Sequence, residues 1–169
     1  MEQLAEVFRY TLKRSEKESV RLEEELDFVR SYLEVEQARF GERLQVRFDV
    51  PSDIKGMLIP TMMVQTLVEN AIKHGVASVR GVGIVEIRAG LKDGRICIEV
   101  LDNGPGFSLD EALSEAPGRS GHGLKNLLQR LNSHYGSSAE LHVRKDEASQ
   151  RTVVSVELPA SVPLSLDTP

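Results

Sequence analysis

The stretch from residue 83 to residue 103 constrains the fold most. "GIVEIRAGL" and "RICIEVLDN" both alternate like strands, and "KDG" between them reads as a hairpin turn. "LQVRFDV" alternates earlier, and "AELHVR" with "TVVSVELP" makes a later pair. Amphipathic helices separate these strands. Leu22, Leu26, Val29, Leu33 and Phe40 form one apolar stripe over about residues 20 to 40. Glu23, Glu24 and Glu25 crowd its first turn, where the helix dipole favours negative charge, and Gly41 closes it. A second helix is opened by Pro60 and runs to about His74. A third spans "GLKNLLQRLNSHYG", with Leu124, Leu127, Leu128 and Leu131 inward. Strands that come in adjacent pairs, instead of alternating with helices, predict an α+β fold. The expected architecture is a two-layer sandwich, a mixed or antiparallel sheet with helices on one face.

A helical segment is expected over residues 1–41, with Leu4, Val7, Phe8 and Leu12 at helical spacing before a charged break at "TLKRSEKES". The main domain is placed at 42–160 and a frayed tail at 161–169. Residues 107–120, with Pro117 and Gly118, read as a mobile loop. The chain has 169 residues and a net charge of −5, which argues against nucleic acid as a partner. Cys97 is the one cysteine, so no internal disulfide framework exists; it is expected in the core. No apolar run reaches the roughly 18 residues of a membrane span. Met1 sits directly on a helical pattern, as in a fragment of something longer.

Three segments carry chemistry. In "TLVENAIKHG", Val64, Val68, Ala71 and Ile72 share one helix face, and Thr66, Asn70 and Lys73 share the opposite one. A solvated face explains that pattern as well as a site does. Asparagine is a poor helix former, however; its carbonyl oxygen suits a hard cation, and Lys73 suits phosphate. In "LDNGPGF", Asp102 can accept hydrogen bonds from an exocyclic amine, while Gly104 and Gly106 let backbone approach a flat ring. Taken alone, this is a plain turn. In "GRSGHGLKN", Gly118, Gly121 and Gly123 precede a helix whose amides form an anion site, though a flexible hinge has the same composition. The ending of a Walker loop is missing.

Together the three segments resemble the N, G1 and G2 boxes of the ATPase superfamily shared by gyrase, Hsp90, histidine kinases and MutL. "VENAIKHG" is similar to the N box, "DNGPGF" to G1 and "GHGL" to G2, over about residues 44 to 159. "FRYTL" and "VRLEEELDFVRSYLEVEQARFGERL" resemble the segment before the ATPase domain in LytS-type sensor histidine kinases. The resemblance implies the histidine kinase/Hsp90-like sandwich and ATP and Mg2+ as cofactors. It implies Asn70 as magnesium ligand, Lys73 as phosphate contact and Asp102 as reader of the adenine amine. Gly104, Gly106, Gly121 and Gly123 match the box glycines, and His74, His122 and Leu124 fall within the same boxes. The implied activity is transfer of the γ-phosphoryl group of MgATP to a histidine, then to a response regulator. The implied setting is a cytoplasmic domain of a homodimeric, often membrane-anchored parent.

Two departures matter. The family's phosphoacceptor histidine lies upstream of the ATPase domain, and here no histidine precedes His74. Where hydrolytic members carry a glutamate base, four residues before Asn70, this chain has Thr66. Glu69 points about 100° away on a helix. These features favour a phosphoryl donor over a hydrolysing ATPase or a serine kinase; a nucleotide-gated pseudo-kinase is the alternative binding module. His74 is read as either a ligand contact or ordinary surface, and His122 as phosphate-facing or exposed. His134 and His142 are expected on the surface. Arg130 is read as support for the loop or as a surface ion pair. Glu36 falls on the apolar stripe and is expected to pair with Arg39 or Arg43.

Overall fold

The computed structural model describes residues 18–114 and 122–161. The first strand, β1 (Ser19–Arg21), leads into α1 (Leu22–Phe40), and a 3-10 turn at Gly41–Arg43 follows. Then come β2 (Leu44–Asp49), β3 (Leu58–Pro60) and α2 (Met63–Asn70), which continues as a π-helical turn over Ala71–Gly75. The hairpin of β4 (Gly83–Lys92) and β5 (Arg95–Asp102) precedes a short helix, α3 (Leu109–Leu113). The chain ends with α4 (Gly123–Tyr135) and the hairpin of β6 (Glu140–Lys145) and β7 (Thr152–Pro159).

Five strands form one sheet in the order β2-β4-β5-β7-β6. β2 runs parallel to β4 and every other pair is antiparallel, so the sheet is mixed. Alternation along β5 puts Ile96, Ile98 and Val100 on the covered face, and the register lines them up with Leu158, Val156 and Val154 of β7. Leu26, Val29 and Leu33 of α1, Val64, Leu67 and Val68 of α2, and Leu124, Leu127 and Leu131 of α4 close the core from one side. Leu128 is only half-buried at its rim. The opposite face carries ion pairs instead, with Glu86 held between Arg88 and Arg151, and Glu99 near Arg144. The α+β sandwich with helices on one face is therefore as the strand pattern predicts. Leu22, Leu26, Phe28, Val29 and Leu33, from the segment expected to precede the domain, are buried in this same core.

Four local expectations need correction. Pro60 does not open the second helix: it ends β3, which pairs with β1 through Ser19, Val20 and Arg21. The helix starts at Met63, behind Met62 in the left-handed region at φ 63°. Its exposed amides are satisfied from α1. The wholly buried Glu25 accepts from the Met62 amide at 2.8 Å and the Gln65 amide at 3.3 Å. A carboxylate at a helix N-terminus is favoured by dipole and hydrogen bond together. Second, the loop expected over 107–120 is partly helical. Ser108 caps α3 by accepting from the Glu111 amide, and Glu111 returns the bond to the Ser108 amide at 2.6 Å. Third, Cys97 is half-buried on the outer sheet face, between the inward Ile96 and Ile98, where burial pushes its thiol up to about 11. Fourth, Arg130 makes no ion pair among the described residues: its guanidinium donates to the Thr61 carbonyl at 2.5 Å, tying α4 to the entry of α2.

Glu36 has the expected partner. Arg39 lies 3.4 Å from it, and the Tyr32 phenol hydrogen-bonds to it. Arg43 instead donates to the carbonyls of Val79 and Gly81.

Candidate functional site

At the end of β5 the sheet must place a carboxylate indoors. Asp102 is 1% exposed and opposes Thr152 of β7 and Val85 of β4 in register. Its Oδ1 accepts from the Gly104 amide at 2.8 Å. Burial pushes its carboxyl up to about 6, against the lowering pull of the Gly104 amide and the Lys145 ammonium. Asn103 is a staple: its side chain accepts from the Ile84 amide at 2.7 Å and donates to the Val82 carbonyl at 2.8 Å. It thereby ties the turn to the start of β4.

The glycines have distinct jobs. A Cβ on Gly104 would lie 2.4 Å from the Gly75 Cα and 2.8 Å from Asp102 Oδ1. A Cβ on Gly75 would lie 2.3 Å from Asp102 Oδ1. Gly75, Asp102 and Gly104 thus meet with no room for a side chain. Gly106 has φ +84°, a region that suits glycine, and its Cα faces the Thr152 hydroxyl. Gly123 opens α4 beside Thr66, and Gly121 lies outside the described residues.

Helix α2 and its π turn form one wall. π turns concentrate at functional sites because the widened turn re-aims side chains. Asn70 and His74 line an open cleft with Pro105, Gly106, Phe107, His122 and Leu124. The sequence-predicted residues Asn70, His74, Gly106, His122 and Leu124 are therefore brought together, with Asp102 and Gly104 adjoining. Lys73 is exposed and is not part of the lining. His134 and His142 are exposed, as expected, with His142 bonded to Glu140.

Two buried polar atoms here have no hydrogen-bond partner: Asn70 Nδ2 and Thr152 Oγ1. Orphans of this kind cost free energy unless a ligand or water meets them. Thr66 is already engaged, since its hydroxyl donates to the Met62 carbonyl at 2.6 Å. Glu69 is held by Gln65 at 2.9 Å and is absent from the lining. Among the described residues no group of three His, Cys, Asp or Glu side chains could hold a metal, and no helix is long and apolar enough to cross a membrane.

Gly75 and Thr152 are parts of the site that sequence reasoning missed. A glycine after a helix reads as an ordinary C-cap, and Thr152 reads as an ordinary strand residue. Only the pairing of β5 with β7 sets Thr152 beside Asp102.

Known proteins resemble this chain in sequence and fold. A family model for histidine kinase-, DNA gyrase B-, and HSP90-like ATPases matches residues 58–162, and one for histidine kinases matches residues 1–44. The sensor protein LytS of Staphylococcus haemolyticus is 34% identical over 164 residues, covering 94% of this chain and 28% of that protein. The chain thus spans little more than a quarter of that relative. Among solved structures, the mycobacterial sensor histidine kinase MprB superposes with a TM-score of 0.62 at 22% identity, over 86% of this chain and 99% of that one. Full-length ShkA in complex with AMPPNP gives a TM-score of 0.59 at 23% identity, over 79% of this chain and 29% of that one. The chain belongs to the family of histidine kinase-, DNA gyrase B- and HSP90-like ATPases.

Proposed function

We propose that residues 42–160, with α1 built into their core, bind MgATP and donate its γ-phosphoryl group to a histidine on a separate helix. The observation that carries this reading is the close packing of Gly75, Asp102 and Gly104 next to the cleft-lining His74, Pro105 and Gly106. A buried carboxylate with bare backbone on both sides suits an exocyclic amine on a flat ring. The AMPPNP held by ShkA, a neighbour in fold, supports an adenine nucleotide as that ligand. The orphaned Thr152 hydroxyl gives the ring a further polar partner.

For magnesium, the donor set fits an ion that arrives with the nucleotide. Mg2+ keeps several waters and takes only one or two protein ligands beside substrate phosphates, so an acidic cage is not required. Asn70 lines the cleft, and its side-chain carbonyl oxygen is the atom that would hold it, while its unpaired Nδ2 is a donor suited to phosphate or water. The ion would neutralise charge on the β- and γ-phosphates. His122 and the amides opening α4 lie where phosphates would enter, and Lys73 is free to swing toward them from the rim.

Transfer to a histidine is favoured over hydrolysis because neither Thr66 nor Glu69 is offered to a water: Thr66 bonds to backbone and Glu69 to Gln65. A histidine is already a competent nucleophile. By the LytS likeness, the partner helix would belong to the same kinase, in a homodimer, and the phosphoryl group would pass to a response regulator, with this domain cytoplasmic.

Incubation with γ-labelled ATP tests the reading. This chain alone should remain unlabelled and release phosphate slowly, whereas an added histidine-bearing helix from a LytS-type kinase should acquire acid-labile label. Loss of a positioned nucleophile removes a proximity advantage worth roughly 7–11 kcal/mol. Rapid phosphate release by the isolated chain would favour the hydrolytic reading instead, and no transfer to any histidine helix would favour a nucleotide-gated module.

A further inference from the structure

Strand β6 is an edge strand, and the positions on its cleft-side face are Leu141, Val143 and the exposed Lys145, opposite Val156, Val154 and Thr152 of β7. Leu141 is buried and Val143 packs on the core, so apolar residues occupy the first two of these positions. The third is a lysine. The register continues across the sheet from Lys145 to Thr152 to Asp102, three residues in one cross-strand row on the cleft side. Lys145 also reaches under the glycine turn: its Cδ lies 3.9 Å from the place where a Gly106 Cβ would stand. Among the described residues it has no carboxylate within ion-pair distance, unlike Glu99 and Arg144 on the opposite face.

We propose that Lys145 is a specificity-determining residue at the adenine end of the nucleotide site, acting through Asp102 and not as a phosphate contact. This rests on the nucleotide reading above. The chemistry follows from what Asp102 can do in each protonation state. As a carboxylate it only accepts, which suits the adenine amine and repels the guanine carbonyl. As a neutral acid it can donate to that carbonyl, so discrimination is lost. Burial favours the neutral acid, and the nearby ammonium opposes it. The groups packed around Asp102 from the other elements are Gly75, Gly104, Thr152 and Val85, none of which is charged. The other titratable groups at the cleft are His74 and His122. Among the described residues Lys145 is the cation that lowers this carboxyl, by less than burial raises it.

A lysine on an edge strand also deters pairing with another sheet, and that role alone predicts no change in nucleotide choice. Lys145→Met and Lys145→Arg chains should be titrated calorimetrically with MgATP and MgGTP at pH 6.5 and pH 8. The proposal expects the ATP-over-GTP ratio of the Met variant to fall by roughly 2- to 5-fold at pH 6.5, the reach of an exposed, solvent-screened ammonium. The fall should be smaller at pH 8, and Arg should restore the ratio. An unchanged ratio in Lys145→Met at both pH values, with ATP still bound, would overturn the role of Lys145 and leave the functional reading standing. A lower melting temperature without a change in the ratio would do the same. Failure of the unsubstituted chain to bind ATP would instead remove the functional reading on which the role depends.

Discussion

Asp102 is held in tension between solvation and function. Its carboxyl is raised from 3.8 to about 6 by burial, against the weaker lowering pull of the Gly104 amide and the Lys145 ammonium. An acid whose pKa is raised by folding contributes stability below its unfolded value and loses that contribution as pH rises through the folded value. Asp102 therefore costs the empty protein most above about pH 6. Asp102→Asn keeps an acceptor for the Gly104 amide and removes the buried charge. It should stabilise the empty chain by about 1–3 kcal/mol at pH 8, with the gain shrinking toward pH 4. Denaturant melts across that range measure it; a gain that does not depend on pH would contradict the account. The acid between a strand and two glycines was visible in the sequence, because "LDNGPGF" carries more than a turn needs. The role of Asn103 was not, since a staple to Val82 and Ile84 exists only once β4 and β5 have paired.

At the scale of elements, the wall that holds Asn70 depends on α1. Glu25 is one of three acids that sequence periodicity places in the first turn of α1, where the dipole explains them all. Packing separates their roles: Glu23 and Glu24 stay at the surface side, and Glu25 turns inward to cap α2. Glu25→Gln should keep one acceptor, leave one α2 amide less well met and lose the charge. A cost of about 1–3 kcal/mol is expected, read as a lower denaturation midpoint without loss of helical circular dichroism at low denaturant. A variant as stable as the parent would show that water caps α2 equally well. The displaced start of α2 has the same origin. Pro60 fits the first turn of a helix by its φ, but three residues of β3 pair with β1, and tertiary pairing outweighs a positional preference. The capped helix α3 was missed although "SLDE" carries a capping box, because Pro and Gly on either side drew attention to the loop.

Across the whole molecule, one sheet face builds a core and one end of that face builds the site. β5 does both: Ile96, Ile98 and Val100 are core, and two residues on from Val100 the same alternation buries Asp102 beside the cleft. That alternation is why the fold class and the inward place of Asp102 were legible in the sequence, while the place of Thr152 beside it, set by register between β5 and β7, was not. The central claim is that this end of the sheet recognises adenine through a buried carboxylate. Isothermal titration of the unsubstituted and Asp102→Asn chains with MgATP and MgGTP at pH 8 tests it most directly. The account predicts binding of MgATP in preference to MgGTP, and a loss in the variant of about 1.5–3 kcal/mol for ATP, the value of a charge-assisted hydrogen bond. Equal affinity for the two nucleotides, unchanged by Asp102→Asn, would contradict it.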